Sequence, residues 1–170
     1  MNQVNAFSGK YRIAVSSCLI GKRCRFDGGH KYHRRLNDAL SQFVADGGEV
    51  ISVCPEELAG LGIPRPAATL IDGDGESVWR GTARVCQHAT GTDVTTAFRN
   101  GANKAFEQTK SCELAILKER SPSCGVNRVW SDSNLTDGRG VFAALLSQQG
   151  IAVVSELSLF EQSGGSVDGE

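Results

Sequence analysis

The sequence contains no pair of cysteines at C-x-x-C spacing, although it has six cysteines in 170 residues. Zinc ribbons, thioredoxin motifs and ferredoxin-like cluster loops all use closely spaced cysteines, so none of these has local support in the chain. A metal or redox centre built from the thiols must therefore be assembled by the fold from distant parts of the sequence. The six are Cys18, Cys24, Cys54, Cys86, Cys112 and Cys124.

The chain also lacks an excess of charge of either sign, because 18 lysines and arginines stand against 19 aspartates and glutamates. A strongly basic chain would attract nucleic acid or an anionic membrane surface, and we expect neither partner here. The segment GDGE at 73–76 lacks the spacing of a dinucleotide-binding loop, and there is no Walker-type motif. Nucleotide binding through a phosphate loop is therefore not expected.

Long apolar runs are missing as well. No stretch of about 18 apolar residues, the length that spans a bilayer, occurs in the sequence. The first residues, MNQVNAFSGKYRIAV, contain no apolar segment of signal-peptide length. We therefore expect a cytoplasmic protein whose thiols are reduced rather than paired in disulfides.

The apolar residues that are present predict one α/β domain. Short apolar runs in YRIAVSS, EVISVCP, ELAILK and IAVVS predict strands. Helical spacing and helix-start signals predict helices over 34–46 and 55–61, from an N-cap at Thr92 or Asp93 to about Thr109, in GVFAALLSQQG and in ELSLFEQS. This alternation predicts a three-layer Rossmann-like domain with a mainly parallel sheet.

The remaining segments are predicted to be less regular. Residues 63–91 combine two prolines with several glycines, which predicts an irregular connection with a hairpin near 73–75. The single domain is expected to span 11–163, with an N-terminal extension at 1–10 and a disordered tail at 164–170. Nothing in the chain indicates its oligomeric state.

Three of the cysteines follow predicted strands. Cys18 ends the first strand, Cys54 ends the second, and Cys124 lies in the loop after the third. Ligands of open parallel α/β sheets bind outside the carboxyl ends of the strands, so these thiols are expected to converge there. The alternative is burial as small apolar residues, which is the interpretation we favour for Cys86 and Cys112.

Three chemistries suit such a trio. A structural zinc needs a fourth ligand, for which His30, His33 or His88 is available. A 4Fe-4S cubane on three cysteines leaves one iron without a protein ligand. The third possibility is a catalytic thiolate at Cys124, activated by the nearby cations. The residue pattern alone leaves these alternatives open, as it does the role of Cys24.

Several blocks of the sequence resemble the thiouracil desulfidase (TudS) family: VSSCLIGKRCRFDGGHK, VCPEELAGLGIPRP, GTDVTTAFRNGA, AILKERSPSCG and GRGVFAALLSQQGIAVVSE. The resemblance implies a 4Fe-4S cluster held by Cys18, Cys54 and Cys124. It further implies that the open iron takes the sulfur of a small thiolated pyrimidine, typically 2-thiouracil, as hydrosulfide and that uracil is released without net redox change. Another thiolated base or a thioamide is an alternative substrate.

This reaction also needs a base and hydrogen-bond donors. Glu56, two residues after Cys54, is the first candidate for the base, and Asp27 is the second. Each has a structural alternative, since Glu56 suits a helix N-terminus and Asp27 suits a glycine turn. Hydroxyls that could donate to substrate or sulfur, and cations that could balance negative charge, complete the predicted site: Ser17, Ser121, Ser123, Lys118 and Arg120.

The second hypothesis for the whole protein is a different functional class. The same cysteine trio could serve a non-catalytic protein that binds zinc or senses redox state. An enzyme with a thiol nucleophile and no metal is the third.

Overall fold

The computed structural model of the protein describes residues 11–163, so the expected extension at 1–10 and tail at 164–170 lie outside the described residues. Two short 3-10 helices, Ser17–Ile20 and Ser158–Ser163, accompany the main elements. In chain order these are β1 Arg12–Ser16, α1 Arg34–Ala45, β2 Glu49–Val53, α2 Pro55–Leu58, β3 Ala68–Ile71, α3 Gly75–Arg80, β4 Arg84–Gln87, α4 Thr95–Thr109, β5 Leu114–Leu117, β6 Arg128–Ser131, β7 Asn134–Asp137, α5 Val141–Gln148 and β8 Ala152–Ser155.

The central sheet has four parallel strands in the order β2-β1-β5-β8. Its register places Ile13 of β1 opposite Val50 of β2 and Leu114 of β5, and Leu114 in turn opposite Ala152 of β8. All four strands therefore end at the same edge of the sheet. The mainly parallel sheet predicted from the sequence is confirmed.

Alternate side chains of the central strands pack into two separate hydrophobic clusters, one on each face of the sheet. Ala14 and Leu117 belong to the cluster that includes α4 and α5, whereas Val15 belongs to the cluster that includes α1. Both faces are covered by helices because the strands are apolar on both sides, which is typical of parallel sheets. The predicted three-layer α/β architecture is confirmed.

A second four-stranded sheet, of order β4-β3-β6-β7, was not predicted. The segment 63–91 is not irregular, because it contains β3, α3 and β4, with β3 and β4 antiparallel. The predicted hairpin near 73–75 is wrong: Asp74 instead caps α3 by accepting a hydrogen bond from the backbone N–H of Ser77 at 3.1 Å. The true hairpin joins β6 to β7 through Asp132 and Ser133, both at positive φ.

Most helix bounds agree with the prediction, with three differences. Helix α2 ends at Leu58 instead of extending to 61, where Gly60 and Gly62 adopt positive φ. Helix α4 begins at Thr95, and Asp93 still accepts a hydrogen bond from the Thr95 N–H at 2.9 Å. The last predicted helix is a 3-10 helix. Within residues 11–163, no helix has both the length and the apolar character needed to cross a bilayer.

Candidate active site

The carboxyl ends of all four central strands open into one cavity of about 980 Å³, which we call the central cavity. The residues that end or directly follow these strands line it: Ser16, Val53, Lys118 and Glu156. The cavity also contains the predicted cysteine trio, Cys18, Cys54 and Cys124. The three thiols therefore line one cavity at the strand ends, which is where parallel sheets bind their ligands.

The environments of the three thiols differ. Burial raises the pKa of Cys18 to about 11, although the nearby Lys118 ammonium acts in the opposite direction. Burial also raises the pKa of Cys124 to about 12, against hydrogen bonds from the Ser16 and Ser123 hydroxyls. A hydrogen bond with Cys24 lowers the pKa of Cys54 to about 7, although burial acts in the opposite direction. Because its pKa is raised, Cys124 carries little thiolate at neutral pH, which argues against a free thiolate nucleophile at this position.

The loop after β5 that carries Cys124 is held from inside by Glu119, a buried residue that is only 5% exposed. Burial raises the pKa of this carboxyl, but backbone N–H donors outweigh burial and the net pKa shift is downward. Its oxygen Oε1 accepts hydrogen bonds from the N–H groups of Val126 at 2.8 Å, Asn127 at 3.0 Å and Arg128 at 3.1 Å. The loop is thus folded around one buried anion.

The start of α5 packs directly against the same loop. The N–H groups of Val141 and Phe142 donate to the carbonyl oxygens of Pro122 and Ser123 at 2.9 and 2.8 Å. A Cβ atom on Gly140 would lie 2.4 Å from the carbonyl carbon of Ser123, so only glycine permits this approach. The position of Cys124 therefore depends on both the Glu119 contacts and the α5 terminus.

Glu56 lies in the cavity with its two oxygens in different environments. Oε2 is paired with Arg65, at 2.9 Å from Nε and 2.8 Å from Nη2. Oε1 accepts a hydrogen bond from the Ser123 hydroxyl at 3.2 Å. The Arg65 and Glu56 side chains are only 4% and 12% exposed, so this is a largely buried pair with a defined orientation.

The other predicted side chains line the cavity, except for Asp27. Ser17, Ser121 and Arg120 line the cavity, and Ser121 Oγ accepts hydrogen bonds from the N–H groups of Ser123 and Cys124 at 3.2 and 3.1 Å. Lys118 also lines the cavity, but its ammonium is paired with a carboxylate.

Lys118 Nζ lies 2.9 Å from Glu156 Oε1 and 3.0 Å from the Glu119 carbonyl oxygen. Its charge is therefore balanced by the protein. Asp27 is not among the residues that line the cavity. Its carboxylate accepts a hydrogen bond from the Gly29 N–H at 2.9 Å, which is the turn role weighed as its alternative.

Sequence reasoning missed Arg65, Glu119 and Glu156 as parts of the site. The sequence did contain one signal for Arg65, which lies between two prolines in IPRP. An arginine held in such a rigid segment has few orientations, which suits a residue that positions another side chain. Cys86 and Cys112 are buried and are not among the residues that line the cavity.

The cavity at the strand ends of this α/β domain contains buried thiols and an oriented carboxylate. This combination is typical of the class of proteins that bind a metal through thiolates and act on a small ligand. The family model described as 2-thiouracil desulfurase matches residues 13–158, and the chain belongs to this family. The family and the enzyme class predicted from the sequence blocks, a desulfidase, are confirmed.

Two similar proteins cover most of the chain. Protein YbbK of Bacillus subtilis (strain 168) is 40% identical in an alignment of 153 residues, and the match covers 86% of this chain and 97% of YbbK. The solved structure of a [4Fe-4S]-dependent thiouracil desulfidase, TudS, is 35% identical with a TM-score of 0.73, and the match covers 88% of this chain and 93% of that one.

Proposed function

We propose that this chain is a 4Fe-4S-dependent desulfidase that converts 2-thiouracil, or a related small thiolated pyrimidine, to its oxygen analogue and hydrosulfide. The observation that carries the proposal is the convergence of Cys18, Cys54 and Cys124 on one cavity that also holds Glu56. Exchange of a ring C=S for C=O consumes one water and yields hydrosulfide and a proton. The reaction therefore balances without an electron donor.

The donor set in the central cavity fits a thiolate-ligated cluster, with Cys18, Cys54 and Cys124 as its ligands. Burial makes the anionic forms of Cys18 and Cys124 costly, and a bound metal offsets that cost because coordination deprotonates a thiol. When bound through three cysteines, the cluster would keep one iron free of protein ligands and supply a thiophilic Lewis acid. The similarity to a [4Fe-4S]-dependent desulfidase supports this cofactor.

Glu56 is the proposed general base. Arg65 holds Oε2, so Oε1 is the oxygen that faces Ser123 and the cavity. Glu56 takes a proton from the water whose oxygen replaces sulfur on the ring carbon. Asp27, the other candidate, lies outside the cavity lining, so Glu56 is the better supported of the two.

Ser123 is proposed to act beside Glu56, because its hydroxyl contacts the base and lies 3.7 Å from the sulfur of Cys124. Ser17, Ser121 and the exposed Arg120 are proposed to bind the polar edge of the pyrimidine. Lys118 is proposed to act by position, because its ion pair with Glu156 holds the end of β5 at the cavity wall.

The proposed partner is a small molecule, and the proposed location is the cytoplasm, where thiols stay reduced. The test is anaerobic purification followed by visible and paramagnetic-resonance spectra, iron and sulfide counts, and assay of hydrosulfide released from 2-thiouracil. We expect about four irons per chain, from the cubane stoichiometry, and hydrosulfide release. A colourless protein with stoichiometric zinc and no release would instead identify the non-catalytic zinc-binding alternative.

A further inference from the structure

A second set of metal-ligand atoms lies beside the proposed cluster site and is not the predicted trio. The sulfurs of Cys24 and Cys54 and a carboxylate oxygen of Glu57 all lie within 4.8 Å of one another. Cys24 is 2% exposed and belongs to the loop that follows the first 3-10 helix. Its thiol has no role in the proposed desulfuration of the pyrimidine.

The backbone places these three groups together from two segments. Cys54 and Glu57 are three residues apart at the start of α2 and so share one face of its first turn. The Cys24 carbonyl oxygen lies 3.7 Å from the Cys54 sulfur and accepts a hydrogen bond from Arg65 Nη2 at 2.8 Å. Arg65 therefore anchors the Cys24 segment against α2.

The third ligand group, the Glu57 carboxylate, has a defined orientation and is accessible to solvent. Glu57 Oε2 is paired with Lys22 Nζ at 2.9 Å, and the Glu57 side chain is 37% exposed. Because Lys22 lies in the Cys24 loop, this ion pair is a second link between the loop and α2. An ion can approach from the solvent side of Glu57, while Cys24 supplies the buried end of the site.

We propose that Cys24, Cys54 and Glu57 form a metal site for a thiophilic divalent cation such as Zn²⁺, with the fourth position taken by water. Two thiolates and a carboxylate are a donor set that zinc accepts. Zinc–sulfur bonds of about 2.3 Å in a tetrahedron put two sulfurs about 3.8 Å apart. The observed separations, at most 4.8 Å, need only a small closure.

This site shares Cys54 with the proposed cluster site, so the two metals exclude one another. That part of the inference rests on the proposed function. It assigns Cys24 a role that the cluster does not need: in the cluster-free chain, zinc held by Cys24 and Cys54 blocks cluster assembly. Zinc binding through the trio of Cys18, Cys54 and Cys124 is a different site, and variants separate the two.

The test uses the reduced, cluster-free protein under anaerobic conditions, titrated with Co²⁺ as a spectroscopic substitute for Zn²⁺ and then with Zn²⁺ against a chelator. We expect one Co²⁺ per chain with sulfur-to-cobalt charge-transfer absorbance. Cys24→Ser should lose this absorbance, whereas Cys18→Ser and Cys124→Ser should keep it. Glu57→Gln, a change at a partly exposed side chain, should weaken Zn²⁺ binding at least about 10-fold.

Three results would overturn the site: absence of stoichiometric binding, unchanged Zn²⁺ affinity in Glu57→Gln, or absorbance that survives in Cys24→Ser and disappears in Cys18→Ser. Circular dichroism of each variant verifies its fold. Exclusion is tested by reconstitution with iron and sulfide after one equivalent of Zn²⁺, which should suppress iron uptake in the native chain but not in Cys24→Ser. If neither chain takes up iron without zinc, the proposed function fails while the cobalt result still decides the zinc site.

Discussion

Arg65 and Glu56 form a largely buried ion pair in which two guanidinium nitrogens, Nε and Nη2, contact the same carboxylate oxygen at 2.9 and 2.8 Å. Arg65 Nη1 also donates to the Gly62 carbonyl oxygen at 2.9 Å, and Nη2 donates to that of Cys24 at 2.8 Å. One side chain therefore links the proposed base, the turn after α2 and the loop that carries Cys24.

Glu56→Gln should retain the cluster and lose turnover, because the amide keeps the shape of the side chain but cannot take a proton from water. We expect hydrosulfide release to fall at least about 100-fold, with iron content unchanged. Glu107→Gln is the matched control, since Glu107 is 65% exposed and forms an ion pair with Lys110, the residue that directly follows α4. Equal activity of Glu56→Gln and the control would remove Glu56 from the base role.

Arg65→Met should lower kcat more than it raises KM, since Arg65 holds the Oε2 oxygen of Glu56 and so orients the proposed base. Misplacement of a reacting group by about 1 Å can cost about 100-fold in rate. Arg65→Lys should recover only part of the rate, because an ammonium cannot reproduce the several directed hydrogen bonds of the guanidinium. Steady-state kinetics of the iron-loaded variants measures this, and a change confined to KM would contradict the positioning role.

A comparison of Cys54→Ala with Cys112→Ala should distinguish a cysteine that binds the cluster from a cysteine that is only buried in the core. Cys54 lines the central cavity, whereas Cys112 is buried in the hydrophobic cluster that contains α4. Iron bound per folded chain after anaerobic reconstitution should be lost in Cys54→Ala and retained in Cys112→Ala. Equal loss of iron in both variants would refute this division of the thiols.

Alkylation of the cluster-free protein should be selective for Cys54. Its pKa is lowered to about 7, so its thiolate fraction and reaction rate with iodoacetamide should rise between pH 6 and pH 8 with a midpoint near 7. Cys18, with a pKa of about 11, should have roughly one thiolate in a thousand thiols at pH 8.

Peptide mass spectrometry of alkylated samples measures this selectivity site by site. Cys124, whose pKa is about 12, serves as the internal control for a buried thiol in the same cavity. Comparable labelling of Cys18 and Cys54 at pH 7 would contradict the role of the Cys24 hydrogen bond.

The central sheet was predictable from sequence because strands buried on both faces leave continuous apolar runs such as LAIL. The convergence of Cys18, Cys54 and Cys124 followed from the same reasoning, since parallel strands end at one edge. Both predictions depend on local composition and one topological rule. They need no knowledge of long-range side-chain contacts.

The second sheet was not predictable in the same way. Its strands have four residues each, as β5 and β8 do, but RVCQ, RVWS and NLTD mix polar with apolar residues and so contain no continuous apolar run. The β6–β7 turn uses Asp132 and Ser133 at positive φ, where a glycine would have marked the hairpin. Tertiary pairing, such as Leu70 opposite Ser131, decides these elements.

The hydrogen-bond and ion-pair partners of the site residues could likewise not be predicted from the sequence. Arg65 meets Glu56 nine residues away and Cys24 at a distance of 41 residues along the chain. Glu119 and Glu156 are charged residues whose burial depends on backbone donors and on Lys118. Asp27 lies three residues after Cys24 in the sequence, but its carboxylate accepts a hydrogen bond from the Gly29 N–H and so stabilises a glycine turn.

The measurement that tests the central claim most directly is the ratio of hydrosulfide to uracil formed from 2-thiouracil by the iron-loaded protein under anaerobic conditions without an electron donor. A hydrolytic exchange of sulfur for oxygen predicts equal amounts of the two products over repeated turnovers. Formation of neither product by protein that carries its full complement of iron and sulfide, or formation only when a reductant is added, would contradict it.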